Sequence, residues 1–132
     1  MKKPRAFRAV IFDMDGVIVD SMPYHYLAWY EALIPYGVRV SCFDVFAKEG
    51  ERWDRTLVGL LSRRHIRPSR ALLSRIFSAR QRLFKRYFKR FIFPNSEETL
   101  RWLKAEGYQL GLVTGTPYRE VVKILPARMA RL

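Results

Sequence analysis

The stretch of sequence that decides the fold lies near the N-terminus and reads Phe12-Asp13-Met14-Asp15-Gly16-Val17. It ends the apolar run 9–12, whose β-branched residues predict a short, fully buried β-strand. The carboxylates of Asp13 and Asp15 are one residue apart, so an extended backbone points both to the same side. Ligands bind at the carboxyl ends of strands in α/β sheets, and two close carboxylates repel each other unless a cation or a proton lies between them. The stretch therefore predicts a cation-dependent reaction centre, and a polar turn with Gly16 at positive φ is the structural alternative.

A second apolar run predicts another buried strand at 108–113, and Thr114-Gly115-Thr116 follows its carboxyl end. Residues 10–21 resemble motif I of the haloacid dehalogenase-like (HAD) hydrolases, most closely the group of β-phosphoglucomutase and phosphoglycolate phosphatase. Residues 111–116 are similar to motif II of that family, which ends in a phosphate-binding Thr or Ser.

The resemblance implies an α/β fold with an inserted domain. Residues 1–16 and 92–132 would form a partial Rossmann-like core with two visible parallel strands, and 17–91 would form an α-helical cap inserted after motif I. A chain of 132 residues is long enough for one domain or for a small core with an insert.

Composition limits the classes of protein that remain. Hydrophobic residues make up 49% of the chain and aromatic residues 14%, which excludes a disordered protein. The formal net charge is +13, from 25 Lys and Arg against 12 Asp and Glu, and it suits phosphorylated substrates, nucleic acid or an acidic membrane surface. The single Cys42 excludes an intramolecular disulfide. The apolar run after the basic N-terminus is shorter than the roughly 7–15 residues of an export signal, so we expect a soluble, cytoplasmic protein.

Periodicity and capping signals predict five helices, at about 22–34, 53–65, 69–91, 96–106 and 118–125. Asn95 and Glu98 are spaced as a capping box for the fourth helix, and Thr116 is predicted to cap the fifth. His25, in the first helix, either touches substrate or packs beside its tyrosine neighbours.

The predicted helix 69–91 combines an apolar stripe with many Arg and Lys residues. One interpretation is a cap helix whose apolar face packs inward while the basic side chains stay solvated. The alternative is a non-catalytic basic module that binds nucleic acid, anionic lipid or a partner subunit through this helix.

The resemblance also implies a chemistry. It is that of a Mg²⁺-dependent phosphatase (a phosphoric monoester hydrolase) or phosphomutase that acts on a small phosphorylated metabolite through an aspartyl-phosphate. Asp13 would be the nucleophile and Asp15 the general acid and base, and both would contribute to the Mg²⁺ site. The phosphoryl group would be held by Thr114 with the backbone N–H groups of Gly115 and Met14.

Two cations in the predicted cap, Lys48 and Arg52, would contact a distal anionic group of the substrate; a solvated loop is the alternative.

The sequence departs from the family pattern after motif II. The family's third motif, a lysine, and its fourth, an acidic pair, have no clear counterpart after Thr114, since Lys123 lies within a predicted helix. We therefore expect a chain truncated after motif II, an N-terminal fragment whose own activity and stable folding stay open. One edge of its first strand would be unpaired, which predicts self-association through that edge.

Overall fold

A computed structural model describes residues 8–132 of the chain. The described residues form two strands, β1 (Ala9–Phe12) and β2 (Gln109–Leu112), which makes the protein α/β as predicted. The helices are α1 (Met22–Leu33), α2 (Cys42–Phe46), α3 (Trp53–Ser62), α4 (Arg70–Tyr87), α5 (Ser96–Ala105), α6 (Tyr118–Ile124) and α7 (Ala127–Ala130), with a 3₁₀ turn at Ile34–Tyr36. In this part of the chain, no helix has the length and apolar character needed to cross a bilayer.

The chain divides into two compact units. The strand unit combines the described residues up to Asp20 with Arg90–Leu132. The helical unit is Ser21–Lys89.

The strand unit is built on a parallel pair. β1 and β2 run in register from Ala9 opposite Gln109 to Phe12 opposite Leu112. The prediction of a fully buried first strand is wrong, because the side chain of Ile11 is 68% exposed. Among residues 8–132 only β2 pairs with β1, and a two-stranded sheet covers little of its own surface.

The chain leaves and re-enters the strand unit at neighbouring points. The N–H of Asp20 donates to the carbonyl of Phe91 (2.9 Å), and the N–H of Phe93 donates to the carbonyl of Ile18 (3.0 Å). Helix α4 ends at Tyr87 and not at the predicted 91: Phe88 leaves the helix with ψ 121°, and Ile92 then forms an antiparallel bridge with Val19.

The helical unit has its own core. The largest side chains in it include Trp29, Leu33, Leu57, Leu60 and Ile76, which come from α1, α3 and α4. Helix α4 begins where the sequence predicts, because the Ser69 side chain caps it by accepting the N–H of Leu72 (3.2 Å).

Two capping predictions are wrong. Asn95 lies in the left-handed region (φ 65°), and its side chain makes no cap hydrogen bond, since capping requires an extended residue. The cap position of α6 is occupied by Pro117 and not by Thr116, whose hydroxyl is used elsewhere. The capping box that the structure does contain is at Ser41 and Asp44, at the start of α2.

Candidate active site

The parallel register brings the loops after β1 and β2 to the same edge of the sheet. Phe12 is opposite Leu112, and the ladder continues one step further because the N–H of Val113 donates to the carbonyl of Phe12 (2.8 Å). Asp13 and Thr114 are the residues that follow. The predicted carboxylates and the predicted phosphate-binding threonine therefore leave the sheet side by side.

The loop after β1 is a tight turn organised by Met14, which is completely buried. The carbonyl of Met14 accepts the N–H groups of Ile18 (3.0 Å) and Val19 (2.9 Å). Gly16 adopts φ 74°, a conformation that glycine adopts at no steric cost, and its N–H donates to the carbonyl of Val19 (2.8 Å). These bonds fix the backbone that carries both carboxylates.

The two carboxylates differ in their surroundings. Asp13 is exposed, and its Oδ1 accepts the N–H of Met14 at 2.6 Å, so that N–H is already engaged by the carboxylate. Asp15 is half-buried, and its Oδ2 accepts a hydrogen bond from the Thr116 hydroxyl at 3.3 Å. The more exposed carboxylate is the one proposed to attack a substrate.

Two threonines make the hydrogen bonds of the loop after β2. The Oγ1 of Thr114 accepts the N–H of Thr116 (3.1 Å), and the Thr116 hydroxyl reaches across to Asp15. Thr116 therefore links Thr114, the predicted phosphate-binding threonine, to the second carboxylate, and the sequence alone did not predict this contact. The spacing Thr114-Gly115-Thr116 carries a signal for part of this arrangement, since Thr hydroxyls commonly bond the backbone two residues on.

The cations predicted to contact substrate, Lys48 and Arg52, lie in the helical unit and hold carboxylates there. Lys48 Nζ is 3.2 Å from Glu51 Oε2, and the Arg52 guanidinium makes two bonds to Asp54, of 2.8 and 3.2 Å. The Asp54 carboxylate raises the pKa of Arg52 above its ordinary value. Their contact with substrate stays a prediction.

The other residue with two interpretations, His25, also lies in the helical unit. Its ring stacks on Phe84 with centroids 4.5 Å apart, and its Nδ1 contacts the Arg80 guanidinium. The packing interpretation accounts for these contacts.

The donor set of the candidate site fits one mode of Mg²⁺ binding. Within residues 8–132, no three His, Cys, Asp or Glu side chains cluster to hold a metal ion. Mg²⁺ commonly takes only one or two carboxylates and completes its shell with water and substrate phosphate. Asp13 and Asp15 suit that mode and do not suit a cage made of protein ligands alone.

The chain belongs to the haloacid dehalogenase-like hydrolases, because that family matches residues 7–130. It is 32% identical over 123 residues to a phosphoglycolate phosphatase of Psychrobacter arcticus, covering 88% of this chain and 54% of that protein. It is 30% identical over 124 residues to a phosphorylated carbohydrates phosphatase of Thermotoga maritima, covering 89% and 54%. The predicted family is confirmed.

Solved structures of the family share the fold. A candidate β-phosphoglucomutase from Bacteroides vulgatus has a TM-score of 0.80 and 28% identity, with 92% of this chain and 51% of that chain covered. β-Phosphoglucomutase from Clostridium difficile has a TM-score of 0.70 and 24% identity, covering 81% and 51%. The chain thus spans about half the length of the relatives that it matches.

Proposed function

We propose that this chain carries the nucleophile, the general acid and the phosphate-binding threonine of a Mg²⁺-dependent phosphatase or phosphomutase for a small phosphorylated metabolite. The observation that carries the proposal is the hydrogen bond from Thr116 to Asp15, which joins loops 101 residues apart. It supports a single site made from both matched motifs. The named activities of the relatives, which are phosphatases of phosphoglycolate and of phosphorylated carbohydrates, support this substrate class.

In the proposed reaction Asp13 attacks phosphorus. A P–O bond forms to its carboxylate, the bond to the leaving oxygen breaks, and Asp15 gives its proton to that oxygen. The resulting aspartyl-phosphate is hydrolysed when Asp15 takes a proton from water and the water oxygen attacks phosphorus. Inorganic phosphate leaves, and both carboxyl groups return to their starting protonation states. A phosphomutase would differ only in that a sugar hydroxyl replaces the water.

The phosphoryl group is held by the loop after β2. A hydroxyl has one donor and two acceptor sites, and Thr114 uses an acceptor site for the N–H of Thr116. Its O–H is left to donate to a phosphoryl oxygen, beside the N–H of Gly115. Mg²⁺, held by the carboxylate of Asp13 and the backbone carbonyl of Asp15, would supply positive charge against the two carboxylates and the phosphate.

The helical unit is proposed as the cap of this site. Its residues, Ser21–Lys89, lie between the two matched motifs in sequence and build a separate core.

The proposal is tested with a ligand that mimics the aspartyl-phosphate, so that the readout does not depend on turnover. Beryllium fluoride adds to a carboxylate as a phosphoryl analogue and is detected by ¹⁹F NMR. We expect the chain to bind it in the presence of Mg²⁺, and Asp13→Asn to abolish binding because the amide is a poor ligand for beryllium. Glu106→Gln, an exposed position of the strand unit with the same change of charge, is the control and should bind as the parent does.

Hydrolysis of p-nitrophenyl phosphate is measured in parallel on the same three proteins. Equal beryllium fluoride binding by the parent and Asp13→Asn would refute the role of Asp13. Binding that needs Asp13 would support that role whether or not p-nitrophenol is released.

A further inference from the structure

The positive charge of the chain is concentrated in the helical unit. Ser21–Lys89 contains 14 of the 25 Lys and Arg residues but only five of the 12 Asp and Glu residues, so it carries +9 of the net +13. Helix α4 alone has six basic residues and no acidic residue. The proposed reaction assigns no role to the basic residues of α4.

Three arginines of α4 form an exposed line, here called the arginine stripe: Arg75, Arg82 and Arg86. Spacings of seven and four residues place them on one side of the helix, about 10 and about 6 Å apart along its axis. Ala71 and Ser78 on this face are small, and Lys85, three residues after Arg82, adds a further exposed cation beside the stripe.

The stripe is not neutralised within the structure. No carboxylate among residues 8–132 lies within ion-pair distance of its three guanidinium groups, whereas Arg52, Arg63, Arg101 and Arg128 each hold one. Glu31 lines the same pocket as Arg82 and Arg86, and its carboxylate accepts the hydroxyl of Tyr87 at 2.6 Å. This single negative charge can offset only one of the three positive charges of the stripe.

The apolar face of α4 is already used. Ile76 is completely buried, and Leu72, Leu73, Phe77 and Leu83 pack against the core of the helical unit. No large hydrophobic side chain of α4 is exposed. A helix that binds a membrane surface inserts such a face into the lipid, and a protein interface is centred on buried aromatic anchors. The arginine stripe has neither an exposed apolar face nor aromatic anchors, so its positive charge is the property that can bind a partner.

We propose that the arginine stripe binds the phosphate backbone of nucleic acid without regard to base sequence. Planar guanidinium groups bind phosphate oxygens bidentately, and a line of them follows a polyanion better than it fits one small ligand. Contacts to phosphates position a nucleic acid but carry no sequence information, so binding through phosphates alone does not depend on base sequence.

Binding is measured by fluorescence anisotropy on a labelled DNA duplex of about 20 base pairs, over a series of salt concentrations. Each phosphate neutralised contributes about 0.9 to the slope of log K against log salt. The triple variant Arg75→Gln, Arg82→Gln, Arg86→Gln should therefore lower the magnitude of the slope by about 2.7 and weaken binding at least about tenfold.

The control is a triple variant with the same net charge, Arg39→Gln, Arg64→Gln, Arg119→Gln, at exposed positions outside α4. It should retain most of the slope, and a duplex of shuffled sequence should bind equally well. Circular dichroism is used to check that both triple variants are folded.

Three results would overturn the proposal: no salt-dependent binding to DNA, an equal loss in both triple variants, or binding confined to phosphatidylserine vesicles. The variant Asp13→Asn separates this proposal from the enzymatic one, since it should bind DNA as the parent does.

Discussion

The replacement Asp44→Asn tests a polar cluster that joins two helices of the helical unit. The Oδ2 of Asp44 accepts the backbone N–H of Ser41 (2.8 Å) and the Ser41 hydroxyl (2.7 Å), and its Oδ1 accepts Arg63 of α3's C-terminus. These bonds lower the pKa of Asp44 from 3.8 to about 2, first through the backbone of Ser41, then through Arg63. The carboxylate thus joins the start of α2 to the end of α3.

The magnitude follows from that pKa. A carboxyl pKa lowered from 3.8 to about 2 corresponds to at most about 2.5 kcal/mol at neutral pH. The side chain is 21% exposed, so solvent screens part of this interaction, and we expect Asp44→Asn to lower the free energy of unfolding by about 1–1.5 kcal/mol. Because the folded pKa lies below the unfolded one, this stability is complete above about pH 4 and disappears as pH falls toward 2.

The assay is urea unfolding followed by far-UV circular dichroism at pH 7, 5 and 3. The difference between the parent and Asp44→Asn should be the same at pH 7 and 5 and shrink at pH 3. Glu49→Gln, an exposed acid in the same segment, is the control and should unfold as the parent does. A variant as stable as the parent at pH 7, or a loss that does not change down to pH 3, would refute the reasoning.

Two further predictions concern hydrogen bonds that join distant parts of the sequence. Thr116→Val removes the donor to Asp15 and should weaken beryllium fluoride binding about fivefold, as expected for one hydrogen bond, whereas Thr116→Ser should restore it; equal affinities for all three would contradict the role of Thr116. Tyr87→Phe removes the 2.6 Å bond to Glu31 and should lower the midpoint of urea unfolding, while Tyr118→Phe, an exposed tyrosine, should leave the midpoint unchanged; equal midpoints for both variants would contradict a stabilising role for Tyr87.

Local sequence signals predicted the helices and strands whose bounds depend on interactions between residues close in sequence. The apolar run 9–12 gave β1 with its exact bounds, and Ser69 was correctly placed at the start of α4. The end of α4 was predicted too late because the apolar spacing continues through Phe88 and Phe91. The chain beyond the helix instead makes a contact between residues 71 apart in sequence, in which Phe91 accepts the N–H of Asp20. No local pattern contains that information.

The candidate site, too, was predicted from the sequence only in part. Asp13, Asp15 and Thr114 were predicted from motifs, and the structure places them on adjacent loops, although their catalytic roles stay proposals. Thr116 was misassigned because a threonine before proline is a common capping pattern. The helix α2 was missed because its segment has no clear period, yet its serine and aspartate, three residues apart, were a readable capping signal.

The exposure of β1 shows what an apolar pattern does and does not predict. Its sequence, Ala-Val-Ile-Phe, is typical of a strand covered on both faces, as strands of parallel sheets are. In the described residues Ile11 is 68% exposed, and Val113, just after β2, is 64% exposed. Burying such apolar surface would stabilise the protein by about 25 cal/mol per Å². The apolar pattern of β1 therefore indicates a surface whose burial is stabilising. The pattern does not identify the partner that would cover this surface, and self-association through this edge stays a prediction.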